Sequence, residues 1–149
     1  MTKSTNYASW LESTSWAEAI KESLWLYPAL EIVHIIGIVL LVGPALLFDL
    51  RLLGYAKKID INLLSTYLLP IPRYALLLII PSGFLLFITN AISLSQDFTF
   101  WLKMTLLVLA ALNVFIYNRY ALLFPVKLTA TLSILLWIAI ISCGRLLAY

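Results

Sequence analysis

Cysteine, histidine and charged residues are all scarce in this sequence. Cys143 is the only cysteine and His34 the only histidine among 149 residues. A single cysteine excludes an intrachain disulfide and any CxxC metal or redox motif. Charged residues make up 11% of the chain, against about 25% in soluble domains. No Ser/His/Asp set, phosphate-binding loop or pair of catalytic carboxylates occurs in a polar stretch, so the sequence predicts no such aqueous catalysis.

Apolar residues are abundant instead. They make up 63% of the chain, and the mean hydropathy of +1.01 is typical of an integral membrane protein. A helix needs roughly 20 apolar residues to cross a hydrocarbon core of about 30 Å. The pattern predicts an all-α membrane protein with one domain, a four-transmembrane-helix bundle over residues 1–149 with an N-terminal amphipathic interfacial helix. The interfacial helix is expected at about 8–22, and the spans at about 24–48, 74–94, 98–119 and 128–148.

Two short stretches beside the spans also carry helix patterns. The N-terminal segment contains two serine-to-glutamate spacings, Ser9 to Glu12 and Ser15 to Glu18, and each is typical of a capping box at a helix start. Its tryptophans indicate a position at the membrane surface. In the first loop, INLLSTYLLP predicts a short interfacial helix that ends before Pro70. Pro81 lies within the second span and predicts a kink there.

The positive charges predict how the chain crosses the membrane. The net charge is only +3, and the basic residues lie in loops and at helix ends, which fits membrane topology and not nucleic-acid binding. The first loop carries four basic residues and the third carries two, whereas 95–100 carries none. The positive-inside rule therefore places both termini on the periplasmic face of a bacterial inner membrane, with the lipid bilayer as the surrounding partner. The loop residues are Arg51, Lys57, Lys58 and Arg73, then Arg119 and Lys127.

The first span contains an acid and the only histidine. An acidic side chain near the bilayer centre costs roughly 2.5 to 3.5 kcal/mol on insertion scales, so Glu31 is expected to face the protein interior. Tyr27, Glu31 and His34 follow each other at spacings of four and three residues, which places them on one face of a helix. Such residues are by default a functional-site hypothesis.

Each of the four predicted spans carries a polar or charged residue toward the outer side. Counting about 1.5 Å per residue from the middle of each span puts these residues at similar depths. A common outer layer is therefore predicted. Its members are Glu31, Asn90, Lys103 and Arg145, with His34 nearer the centre.

A bound haem or quinone is the most concrete function for this layer. His34 could ligate the iron of a haem b, with Glu31 orienting the ring and Lys103 and Arg145 pairing with the propionates. The sixth iron position would be open, filled by Met104, or filled by His34 of a second copy in a homo-oligomer. A quinone would instead take hydrogen bonds from His34, Tyr27 or Asn90. Either cofactor suggests electron transfer.

Two other readings compete with a cofactor. In one, the charges pair and only fix helix register, and the protein is a non-catalytic accessory or structural subunit of a larger membrane complex. In the other, Glu31 and His34 handle protons or copper ions. Two donors are too few for a closed metal site, and no HxxxH or MxxM cluster completes one. Asp49 and Arg51, two residues apart, are each expected to cap the cytoplasmic helix end or meet a headgroup.

The first span also carries a family resemblance. The run ALEIVHIIGIVLLVGPALLFDLRLLG, residues 29–54, resembles a family of small, uncharacterised, four-span bacterial inner-membrane proteins, as do PRYALLLIIPSGFLLF and FWLKMTLLVLAALN later. It resembles more distantly the CopD copper-resistance membrane domain, where a glutamate and a histidine likewise stand together in a span. The resemblance implies a four-helix inner-membrane protein with Glu31 and His34 as the candidate ligand pair, and it implies no activity. The pattern residues are Glu31, His34, Gly37, Gly43, Asp49, Arg51, Leu52, Leu53 and Gly54.

Overall fold

The described residues of the chain fold entirely into helices and the turns between them. The computed structural model describes residues 3–55, 57–120 and 125–147, without the side chains of 3–6 and 120. Eight helices and no strand occur in these ranges. They are α1 (Lys3–Glu12), α2 (Ser15–Glu22), α3 (Leu26–Leu53), α4 (Ile61–Leu68), α5 (Pro70–Thr89), α6 (Ala91–Gln96), α7 (Phe98–Tyr120) and α8 (Val126–Leu146).

Four helical stretches are long and apolar enough to cross a membrane. They are Leu26–Leu53, Ile61–Thr89, Phe98–Arg119 and Val126–Leu146. Apart from its first and last turns, a helix satisfies its backbone hydrogen bonds internally, which is what a span through hydrocarbon requires. The protein is therefore a multi-pass helical membrane protein, and the predicted fold class of four spanning helices is confirmed.

Local backbone chemistry sets the helix ends around the first loop. Gly54 has a φ of 103°, a left-handed conformation that glycine adopts without a Cβ penalty. Its N–H bonds to Arg51 O and that of Tyr55 to Leu50 O, the two bonds of a Schellman motif. α3 thus continues to Leu53, beyond the predicted end near residue 48. The stretch INLLSTYLLP does form a short helix, α4, which begins where Asp60 Oδ1 accepts the Asn62 N–H at 2.6 Å.

The contacts within the chain divide it into two compact units. The first unit comprises Met1–Leu41 and Arg73–Asp97, and the second comprises Val42–Pro72 and Phe98–Tyr149. In the first unit α1 packs against α6 and touches α2. In the second unit α7 and α8 pack along each other, and α8 turns one stripe of its surface inward. That stripe consists of Thr129, Ala130, Ser133, Leu136, Trp137, Ile140 and Cys143.

Glu12 joins two helices of the first unit that lie far apart in sequence. Its Oε1 accepts the backbone N–H of Ile92 at 2.8 Å, and its Oε2 accepts from Lys21 Nζ at 3.1 Å. Ile92 lies in the first turn of α6, where N–H groups have no partner within the helix. The Ser9-to-Glu12 capping box is therefore wrong, because α1 begins at Lys3 and Glu12, its last residue, caps α6 instead. The Ser15-to-Glu18 spacing does lie at the start of α2, whose N-cap is Thr14.

We expect Glu12→Ala to loosen α1 from α6. The Ile92 N–H and the nearby Lys21 ammonium hold the pKa of the Glu12 carboxyl below its ordinary value of 4.5. Because the pKa is lower in the folded state, the ionised carboxyl stabilises the contact at pH values above the unfolded-state pKa. This stabilisation is lost as the pH falls through the folded-state pKa. Hydrogen exchange in detergent should show lower protection of the amides in 91–96, relative to the intrinsic exchange rate at the same pH, for the variant and, at acid pH, for the wild type. Glu18→Ala on α2 is the control, and equal exchange in both variants would contradict the bridge.

Candidate functional site

Within the first unit, the part of α3 up to Leu41 pairs with α5. Tyr27 of α3 reaches the side chain of Asn90, which follows α5. About two helical turns further along α3, His34 meets Ser82 of α5. These contacts descend along α5 as they ascend along α3, so the two segments run antiparallel, with Tyr27 and His34 turned toward α5.

The His34 imidazole forms a hydrogen bond with a serine of α5. Its Nδ1 lies 2.9 Å from Ser82 Oγ, and His34 is half-buried whereas Ser82 is buried. The Ser82 hydroxyl also bonds to the carbonyl oxygen of Leu78. A carbonyl can only accept, so the single hydroxyl hydrogen goes to Leu78 and Ser82 Oγ accepts from His34. We therefore assign the proton to Nδ1 from this network, which in a neutral ring leaves the lone pair on Nε2.

A glycine lets the imidazole lie directly on the backbone of α5. A Cβ at Gly83 would come within 2.9 Å of His34 Cε1 and 3.5 Å of His34 Nδ1. Real Cβ atoms essentially never approach a neighbour below 3.0 Å, so any side chain at this position would displace the ring. Ser82 and Gly83 together fix where the imidazole lies. The sequence interpretation of this stretch as a proline kink missed both roles.

The other polar candidates of the first unit surround Tyr27. The Tyr27 hydroxyl lies within hydrogen-bonding distance of the Asn90 side chain. It also interacts electrostatically with the Glu31 carboxylate. Asn90 occupies the N-cap position of α6 but makes no capping bond with its side chain, and Glu12 supplies that cap instead. Tyr27 is half-buried and Glu31 is exposed. Tyr27 thus contacts Asn90, whereas the prediction that Glu31 faces the protein interior is wrong, because its side chain is exposed.

The remaining predicted site residues lie in the second unit. Lys103 is half-buried, and its Nζ would lie 3.7 Å from a Cβ built on Gly144. Met104 is 41% exposed, and Arg145 is exposed and takes part in an interaction of its own. The common outer layer that was predicted for these residues and His34 stays a prediction. No group of three or more His, Cys, Asp or Glu side chains able to hold a metal occurs among the described residues.

Asp49 in the second unit is a buried acid, contrary to its predicted position at a helix end. Asp49 is only 8% exposed, and the Ser133 hydroxyl lies within hydrogen-bonding reach of its carboxylate. The expected headgroup or capping role of Asp49 is therefore wrong, because α3 continues past it and α8 covers it. The expected role of Arg51 differs too, since Arg51 Nε donates to the loop carbonyl of Ile59 at 2.8 Å. Placement of Gly54 as the glycine ending α3 would have shown that Asp49 lies inside the helix.

Comparison with known proteins identifies a family to which the chain is similar. A family described as "Family of unknown function (DUF6644)" matches residues 10–149, which is nearly the whole chain. No curated protein sequence and no solved structure matches the chain. The match brings no activity, cofactor or partner with it, so the geometry of the side chains is what supports a function.

Proposed function

The chain belongs to the DUF6644 family of unknown function, and we propose that it binds haem b through His34 and transfers electrons in the membrane. The observation that carries this proposal is the contact between His34 Nδ1 and Ser82 Oγ. Histidines that ligate metals almost always donate their second ring N–H to an oxygen, which fixes the tautomer and raises the basicity of the ligating nitrogen. Ser82 Oγ is this oxygen acceptor, and Nε2 is the nitrogen that would bind the iron.

The same tautomer favours haem over a quinone at His34. A quinone carbonyl accepts hydrogen bonds and needs an N–H donor, whereas Nε2 in the assigned neutral ring carries a lone pair. Tyr27 and Asn90 retain donors for a quinone, but the imidazole that distinguishes this unit does not fit that role. Copper handling by Glu31 and His34 is disfavoured similarly, because a closed metal site needs more donors than this pair supplies.

The proposal extends to assembly and topology. One chain supplies one imidazole, so a bis-imidazole haem needs His34 of a second copy across a two-fold axis, and one haem per chain indicates a single histidine ligand. We place the protein in a bacterial inner membrane with both termini in the periplasm, on the distribution of loop charges.

Haem binding is tested by the absorbance spectrum of the purified protein. The protein, expressed in its membrane and purified in mild detergent, should show a Soret band, and His34→Ala should abolish it because the chain has no other histidine to replace the ligand. Extraction and titration of the haem then give the haem-to-chain ratio. Full haem content in His34→Ala would exclude His34 as the ligand.

Two controls keep the result interpretable. Tyr27→Phe removes the hydroxyl that faces Asn90 but leaves the imidazole, so this variant should retain the Soret band. Gel filtration and thermal unfolding of His34→Ala show whether the variant still folds. If the wild type shows no Soret band, fails to bind added haem, and co-purifies with a stoichiometric larger complex, the accessory-subunit function replaces the haem proposal.

A further inference from the structure

We propose that Asp49 is a reversible proton-binding site inside the second unit, built by α3, α7 and α8. The carboxylate is buried: Asp49 is 8% exposed. One of its oxygens, Oδ2, is fully enclosed and has no hydrogen-bond partner in the described part of the chain. An enclosed carboxylate oxygen without a donor is costly. The structure keeps it in spite of that cost, which points to a ligand at that oxygen.

Two neighbours of Asp49 carry neutral hydroxyl groups. Ser133 of α8 lies within hydrogen-bonding reach of the carboxylate. The Tyr117 phenol of α7 interacts electrostatically with Asp49. The Tyr117 ring packs edge-on against Phe48, with 6.1 Å between the ring centroids. The titratable group that faces Asp49 from α7 is thus a phenol, and α8 contributes a neutral hydroxyl.

The described residues supply no cation to the Asp49 carboxylate. None of the described lysines and arginines lies within ion-pair distance of Asp49. An ionised carboxylate is unfavourable in apolar surroundings unless a cation pairs with it. A proton is the smallest cation that removes the charge, and the Ser133 hydroxyl can hydrogen-bond either form of the acid.

A hydrogen bond between two buried polar residues joins α7 to α8. Asn113 Nδ2 of α7 donates to the carbonyl oxygen of Thr129 at 3.1 Å, and both residues are buried. Asn113 and Tyr117 are four apart on α7, and Thr129 and Ser133 are four apart on α8, so each pair shares a helix face. The Asn113–Thr129 bond thus joins α7 to α8 on the faces that carry Tyr117 and Ser133.

The reagent N,N′-dicyclohexylcarbodiimide tests the site in the full-length protein. It adds the O–H of a carboxylic acid across one C=N bond, and the adduct rearranges to a stable N-acylurea. We expect labelling of Asp49, identified by mass spectrometry of its peptide, to rise as pH falls and to be unchanged by Na⁺ at constant ionic strength. Asp60, whose exposed carboxylate caps α4, is the internal control and should label poorly.

Two variants sharpen the result. Asp49→Asn should lose the label on this peptide. Ser133→Ala should shift half-maximal labelling to higher pH, because the carboxylate loses a hydrogen-bond donor that favours the ionised form. Absence of labelling in the folded wild type at every pH, or labelling that does not change with pH, would overturn the proposal. Protection by Na⁺ at constant pH would overturn it as well, because the site would then bind a metal cation.

Discussion

Replacing Gly37 with alanine is expected to destabilise the protein by about 1 to 3 kcal/mol, the usual cost of forcing extra carbon into a packed interface. A Cβ at Gly37 would lie 2.6 Å from Ile79 Cγ1, and 3.4 Å from both the Ile79 backbone nitrogen and Leu78 Cβ. The Ile79 Cγ1 atom cannot swing away cheaply, because β-branched residues in helices keep one strongly preferred χ1 rotamer. α3 and α5 must therefore separate. Gly37→Leu should extend the loss and prevent the pair from forming.

Gly43 offers a matched control on the same helix. Nothing lies within 4 Å of a Cβ built there, so Gly43→Ala should be neutral or stabilising by up to about 1 kcal/mol from helix propensity. Thermal unfolding of both variants in the same detergent measures the difference. If Gly37→Ala were as stable as Gly43→Ala, the close approach of the two helices would not contribute to stability.

The four spans could be predicted because hydrocarbon imposes one simple requirement. A run of roughly 20 apolar residues is sufficient evidence for a spanning helix, and neither packing nor partners enter that inference. The helix ends were less predictable, because they depend on local bonds. Gly54 ends α3 through its left-handed conformation, and Pro81 lies inside α5 without ending it.

The candidate site was predictable only along one helix. The spacing of Tyr27, Glu31 and His34 placed them on one face, and the contacts of Tyr27 and His34 lie toward α5. Ser82, the partner of His34, lies 48 residues away in sequence, and no periodicity connects the two. Asp49 was misplaced for a related reason: burial of an acid depends on α7 and α8, which the first span alone does not reveal.

Ser82→Ala is expected to weaken haem binding by about 10- to 100-fold, the usual effect of removing a residue that orients a metal ligand. Without the Ser82 oxygen, His34 Nδ1–H loses the acceptor now 2.9 Å away, so the ring can rotate and the lone pair is no longer fixed on Nε2. Gly83→Ala should weaken binding similarly, because its Cβ would press on His34 Cε1.

Ser142→Ala is the matched control for this loss. Ser142 is also a serine in a spanning helix, and its hydroxyl donates to the carbonyl four residues earlier, Ile138 O, at 2.8 Å, as that of Ser82 does to Leu78. Its removal takes away the same local bond without touching the imidazole, and haem affinity should stay at the wild-type value. Titration of haem into the apoprotein measures all three variants. Equal affinity of Ser82→Ala and Ser142→Ala would show that the His34 contact does not orient an iron ligand, even if haem binds.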